Sequence, residues 1–166
     1  MAILQTVIRN DSLALSGNSP RARPILAQVQ PLHLVNNRVP DVIEGPPLPP
    51  GYFAIGLKEL LYLRHNNRPF FTQNDSLFLI QQGLNKQKGL LDSTRFAPND
   101  LTYNRSLSVY REIYGLSLPI FSQDSLRAYM QVDHYCRHMC GGGTGLLLVK
   151  KNGQWHVVGK EGTWVE

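Results

Sequence analysis

The clearest order in the chain lies toward its end. Leu126, Ala128, Met130, Val132, His134 and Cys136 occupy alternate positions, opposite Arg127, Tyr129, Gln131, Asp133, Tyr135 and Arg137. Period-two alternation of this kind predicts a strand with one face on a core and the other toward water. Gly141, Gly142 and Gly143 break the pattern and read as a turn, after which Leu146 to Lys150 predicts a second strand. Asn152-Gly153 is the strongest two-residue hairpin signal, and it leads into a third strand over Gln154 to Val158. In that hairpin Trp155 faces Lys150, with Leu148 on the diagonal. Upstream, Leu107 to Phe121 is interrupted by Gly115 and Pro119 and predicts one bent strand or two short ones, closed by a turn over Ser122 to Ser125.

Helical spacing appears earlier. Leu57, Leu60 and Leu61 line one side of a short helix. Thr72 and Asp75 resemble a capping box, with Asp in place of Glu or Gln, ahead of Leu77, Ile80 and Leu84 at i, i+3 and i+7. They predict a second helix, ended by Gly83 or Gly89, and such amphipathic helices need a sheet to cover. Eight of the eleven prolines fall in the first fifty residues, which excludes long helices there. Short edge strands are expected over Ala2 to Ile8 and Ile25 to Val29, and Gly45 to Gly51 (GPPLPPG) reads as a polyproline-type linker. The predicted fold is α+β: a proline-rich extended arm over 1–50, then an α+β domain over 51–166 whose antiparallel β-meander ends the chain.

Composition narrows this only slightly. With 166 residues and 42% apolar content the chain can build about one core. Its longest apolar run, Gly145 to Val149, falls well short of the ~20 residues a membrane-spanning helix needs. Met1 to Asn10 has no signal-peptide features, and a periplasmic or extracellular location follows only if a leader was removed ahead of it. The net charge of +5 favours acidic partners, but the Lys and Arg residues are scattered. The nearest stacking-plus-basic set is Tyr103, Arg105, Tyr110, Arg111 and Tyr114; it reads as a solvated strand face, so nucleic acid is not the expected partner. His33, His65 and His156 are isolated and receive no role.

The chemistry concentrates in HYCRHMC, where His134, Cys136, His138 and Cys140 recur at every second position. Imidazole and thiolate are the ligands zinc prefers. Four same-face positions span about 20 Å, however, so a straight strand cannot wrap one ion. Cys136 and Cys140 would lie roughly 13 Å apart if extended, whereas a disulfide needs Cα atoms within ~7 Å. A tight turn over Arg137, His138 and Met139 brings them into range, and closing so short a loop contributes about 2 kcal/mol. Four readings stay open: free half-buried thiols, a local disulfide, a zinc site, and a Cys140 thiolate with His134 or His138 as base and the Gly141 to Gly143 amides as oxyanion donors. No third orienting group is visible, so no catalytic residue is assigned. Gly141 to Gly145 (GGGTG) is followed by a strand rather than a helix, which argues against a phosphate loop.

Ser117 to Ser122 (SLPIFS), Tyr135 to Gly143 (YCRHMCGGG) and Lys150 to Trp155 (KKNGQW) together resemble a pattern in small uncharacterised bacterial domains, often exported. There, a strand ending in Cys-x-x-x-Cys-Gly precedes an apolar strand and a Lys-x-x-Gly-x-Trp hairpin. The resemblance covers about the last sixty residues, implies no activity, and favours the Cys136–Cys140 disulfide; His138 departs from the small residue more usual at its position. The resulting expectation is a non-enzymatic binding or structural domain for an unknown protein or small-molecule partner, without a cofactor. The alternative is a metal-binding or thiol-dependent enzyme centred on His134, Cys136, His138 and Cys140.

Overall fold

The computed structural model describes residues 2–10, 24–35, 53–85, 87–96, 100–103, 112–136 and 140–165, and these are mostly β-strand. In chain order they form α1 (Ala2–Asn10), β1 (Ile25–Leu26), β2 (Gln28–Val29), β3 (Leu32–Val35), β4 (Phe53–Gly56) and α2 (Leu57–Tyr62). β5 (Arg64–His65), β6 (Arg68–Pro69), a 3-10 turn (Gln73–Asp75), α3 (Ser76–Gly83) and β7 (Gly89–Leu90) follow. The chain then builds β8 (Leu101–Thr102), β9 (Glu112–Leu116), β10 (Ile120–Phe121), β11 (Arg127–Cys136), β12 (Gly142–Lys151) and β13 (Gln154–Val165). The polyproline-type stretch over 45–51 lies outside the described residues.

The main sheet runs β13-β12-β11-β9-β1-β8, with β10 also pairing β11. Its β9, β11, β12 and β13 ladders are antiparallel, so the expected meander is present. Between β12 and β13 the turn is the Asn152-Gly153 hairpin, with both residues at positive φ, 50° and 79°. Lys150 pairs with Trp155 across it, and the ammonium lies 5.8 Å from the ring centre. β13 is irregular twice: Val158 and Thr163 are the extra residues where its register against β12 shifts.

Both faces of the sheet are covered. On one, Ile3, Leu4, Val7 and Ile8 of α1 pack with Ile25, Leu116, Ala128, Met130, Val132, Leu146 and Leu148. On the other, Leu32, Phe53, Ile55, Leu60, Phe70, Phe71 and Leu79 pack over Ile120, Tyr129 and Leu147. The expected outward polar face of β11 is therefore an interior surface as well, and Tyr129, Gln131 and Asp133 are all buried.

Three local expectations are corrected. Ala2–Asn10 is helical, not an edge strand, because Ile3, Leu4, Val7 and Ile8 repeat at helical spacing and form the stripe that meets the sheet. β1 is not an edge strand either: it lies inside the sheet, parallel to β8 and β9. Leu77 of α3 and Leu84 just after it are exposed, at 75% and 72%, and Ile80 is about one-third exposed, at 36%. The docked face is Leu79, fully buried, together with Gly83 against the Leu34 side chain. Gln82 locks it there, donating through Nε2 to the Phe121 carbonyl and accepting through Oε1 from the Phe121 amide, both at 2.8 Å. The capping pair does form: Asp75 Oδ2 accepts from the Thr72 amide and hydroxyl, each at 2.8 Å.

Candidate functional site

The end of β11 carries the sequence cluster. Cys136 and Cys140 form a disulfide with Cα atoms 5.7 Å apart. Cys136 is buried while Cys140 is exposed. With both sulfurs bonded to each other, neither serves as a thiolate ligand or nucleophile in this state. His138 lies outside the described residues, and among those residues no three His, Cys, Asp or Glu side chains gather as a metal set. The zinc arrangement of His134, Cys136, His138 and Cys140 is thus not assembled here.

What His134 does meet comes from β9. His134 lies opposite Tyr114 and Cys136 opposite Glu112. The imidazole Nε2 is 3.2 Å from Glu112 Oε2, and the ring stacks on Tyr114 with centroids 5.0 Å apart. Glu112 and Tyr114 supply an orienting group that sequence spacing alone did not reveal. Tyr114, read from the sequence as part of a solvated strand face, is half-buried and occupied by this contact. Arg105, Tyr110 and Arg111 of that stretch lie outside the described residues.

The glycine run is not the turn it was read as. Gly142 and Gly143 are strand residues of β12, paired with His134 and Asp133 on one side and with Val165 and Trp164 on the other. Neither has positive φ. Gly141, Gly143 and Gly145 are small because side chains press on them. A Cβ on Gly141 would come within 2.9 Å of the Trp164 ring, one on Gly143 would strike Thr163 Oγ1 and the Trp164 indole, and one on Gly145 would strike the Tyr129 hydroxyl.

That space surrounds a buried polar column on the second face of β11. Gln131 Nε2 donates to the Ala54 carbonyl at 3.0 Å and to the Tyr129 hydroxyl at 3.1 Å. Asp133 is 2% exposed and sits between Gly115 of β9 and Gly143 of β12. Its Oδ2 accepts from the Tyr135 hydroxyl at 2.5 Å and its Oδ1 from Trp164 Nε1 at 3.0 Å, and the two aromatic rings stack. Burial pushes the Asp133 carboxyl up to about 6, against the opposing pull of those two hydrogen bonds. Burial likewise raises the Tyr129 phenol well above its ordinary range.

Two surface recesses lie elsewhere among the described residues. An open groove of about 600 Å³ is lined by Gly56, Lys58, Glu59, Tyr62, Leu63 and Arg64, with Glu161 of β13 on its other wall. A smaller polar one, about 290 Å³, is lined by Thr72, Asn74, Asp75, Gln123, Asp124 and Arg127. In the smaller recess burial works to raise the Asp75 carboxyl, but the Thr72 and Gln123 amides, the Thr72 hydroxyl and Arg127 hold it below the usual range. Arg127 also bridges to Asp124 at 3.1 Å and donates to the Phe70 carbonyl at 3.0 Å. No helix among the described residues is long and apolar enough to cross a membrane. No protein family, no curated protein and no solved structure matches this chain.

Proposed function

We propose that this chain is a non-enzymatic binding or structural domain whose recognition surface is the groove between α2 and β13, with the Cys136–Cys140 bond fixing the end of β11. The groove itself carries the reading. It presents a tyrosine that is 71% exposed, Tyr62, among Glu59, Arg64 and Glu161. The strongest buried polar groups, Asp133, Gln131 and Asp75, instead commit their hydrogen bonds to neighbouring protein groups. Charges of both signs around an aromatic ring suit a segment of a protein partner better than a phosphate backbone, which calls for uniform positive charge. An exported location goes with this reading, since oxidising compartments preserve disulfides.

The test is a titration of isotope-labelled protein with a panel of short acidic, basic and mixed-charge peptides, followed by amide chemical shifts. The expected result is a saturable response at Gly56, Tyr62, Arg64 and Glu161 that Tyr62→Ala weakens at least tenfold. Shifts confined to other surfaces, or turnover of a generic ester or phosphate ester that Glu112→Gln abolishes, would overturn it.

A further inference from the structure

The disulfide is asymmetric in a way that bears on its chemistry. Cys136 is 6% exposed and faces the core from the last position of β11, whereas Cys140 is exposed just outside the strand. A thiolate breaks a disulfide by approaching one sulfur in line with the bond, on the side away from the sulfur that leaves. Approach to Cys140 is open to solvent and sends the leaving sulfur inward. Cys136, at 6% exposure, offers no comparable approach. We infer that the Cys136–Cys140 bond is an exchange site for low-molecular-weight thiols, with Cys140 the sulfur attacked and Cys136 the sulfur released.

The step balances without a further reactant. The incoming thiol, deprotonated in solution, forms a bond to Cys140 Sγ as the Cys140–Cys136 bond breaks, and the electron pair goes to Cys136 Sγ. That sulfur is reprotonated, leaving a mixed disulfide on Cys140 and a free thiol on Cys136. A second thiol then attacks the mixed disulfide, is oxidised with the first to a small-molecule disulfide, and leaves Cys140 reduced. Strand register sets what lies beside Cys136. Glu112 is directly opposite it, and His134, two residues back on the same face, has its ring held by the Glu112 carboxylate and by stacking on Tyr114. Gly142, on the other side of His134, brings no charge of its own.

The two cysteines can be separated by single substitutions. Native Cys136→Ser and Cys140→Ser proteins are each incubated with oxidised glutathione, and the adduct is followed by intact mass. Cys140, alone in Cys136→Ser, is expected to be modified at least tenfold faster than Cys136 alone in Cys140→Ser. In the unsubstituted protein, reduced glutathione followed by an iodoacetamide pulse is expected to leave glutathione on Cys140 and the alkyl group on Cys136. The inverse pattern, or a native protein inert to glutathione until denatured, would overturn the inference and leave the bond purely structural.

Discussion

Asp133 offers the sharpest quantitative prediction. Its carboxyl titrates at about 6 in the folded chain, raised by burial above the 3.8 of an ordinary aspartate. A group that binds its proton more tightly when folded contributes stability that is complete below the unfolded value and is lost as pH rises through the folded one. The gap corresponds to roughly 3 kcal/mol, lost between about pH 4 and pH 7. Asparagine in its place has the same shape and stays neutral. Its Oδ1 can accept from Trp164 Nε1 and its amide can donate to the Tyr135 oxygen, so the column remains satisfied. Asp133→Asn should therefore match wild type within about 1 kcal/mol near pH 4 and exceed it by roughly 2 to 3 kcal/mol near pH 7. The assay is urea unfolding at fixed ionic strength across that range, read by tryptophan fluorescence. Asp75 and Asp124, whose carboxyls are held below 3.8, contribute stability that is lost only at lower pH, so they do not mask the window. A stability difference that stays flat from about pH 4 to pH 7, or a variant that becomes less stable as pH rises, would refute the reasoning.

Three further outcomes follow from the same contacts. Replacing both cysteines with serine should cost about 2 kcal/mol in equilibrium unfolding, as expected for so short a closed loop, with little change in far-ultraviolet circular dichroism. Gly145→Ala should destabilise by about 1 to 3 kcal/mol because its methyl group meets the Tyr129 hydroxyl and ring carbons, a loss that urea unfolding should register. Asp75→Ala removes the acceptor for the Thr72 and Gln123 amides, and thermal unfolding should register a loss of about 2 kcal/mol, more than Asp75→Asn produces.

The meander was legible in the sequence because its signals are local. The alternation through Leu126 to Cys136 and the Asn152-Gly153 pair each act over a few residues, and the structure realises both. What sequence could not show is what lies on top of the sheet. Arg127, Tyr129, Gln131, Asp133 and Tyr135 alternate like a wet face, yet β4, α2 and α3 cover much of it, and the polar groups then bond to one another. Gly141 and Gly143, read as part of a turn, proved to be clearance for Trp164, which is distant in sequence. In α1 the helical signal was present as Ile3, Leu4, Val7 and Ile8, but β-branched content pointed to a strand. In α3 the apolar triad Leu77, Ile80 and Leu84 pointed the wrong way because Gly83 and Gln82, neither of them hydrophobic signals, determine how closely the helix seats. Glu112 became visible beside His134 only once the register of β9 on β11 was fixed.

The packing of α1 against β13 joins the first and last described elements of the chain. Ile3, Leu4, Val7 and Ile8 share their core with Leu146 and Leu148, so the apolar face of α1 has no native sheet to rest on until β12 has been synthesised. β1 has the same dependence, since its partners β8 and β9 are also made much later. Assembly of this domain therefore depends on contacts between distant parts of the chain and is slow relative to folds built from neighbours. Until β12 and β13 are in place the apolar stripe of α1 lacks its native partner.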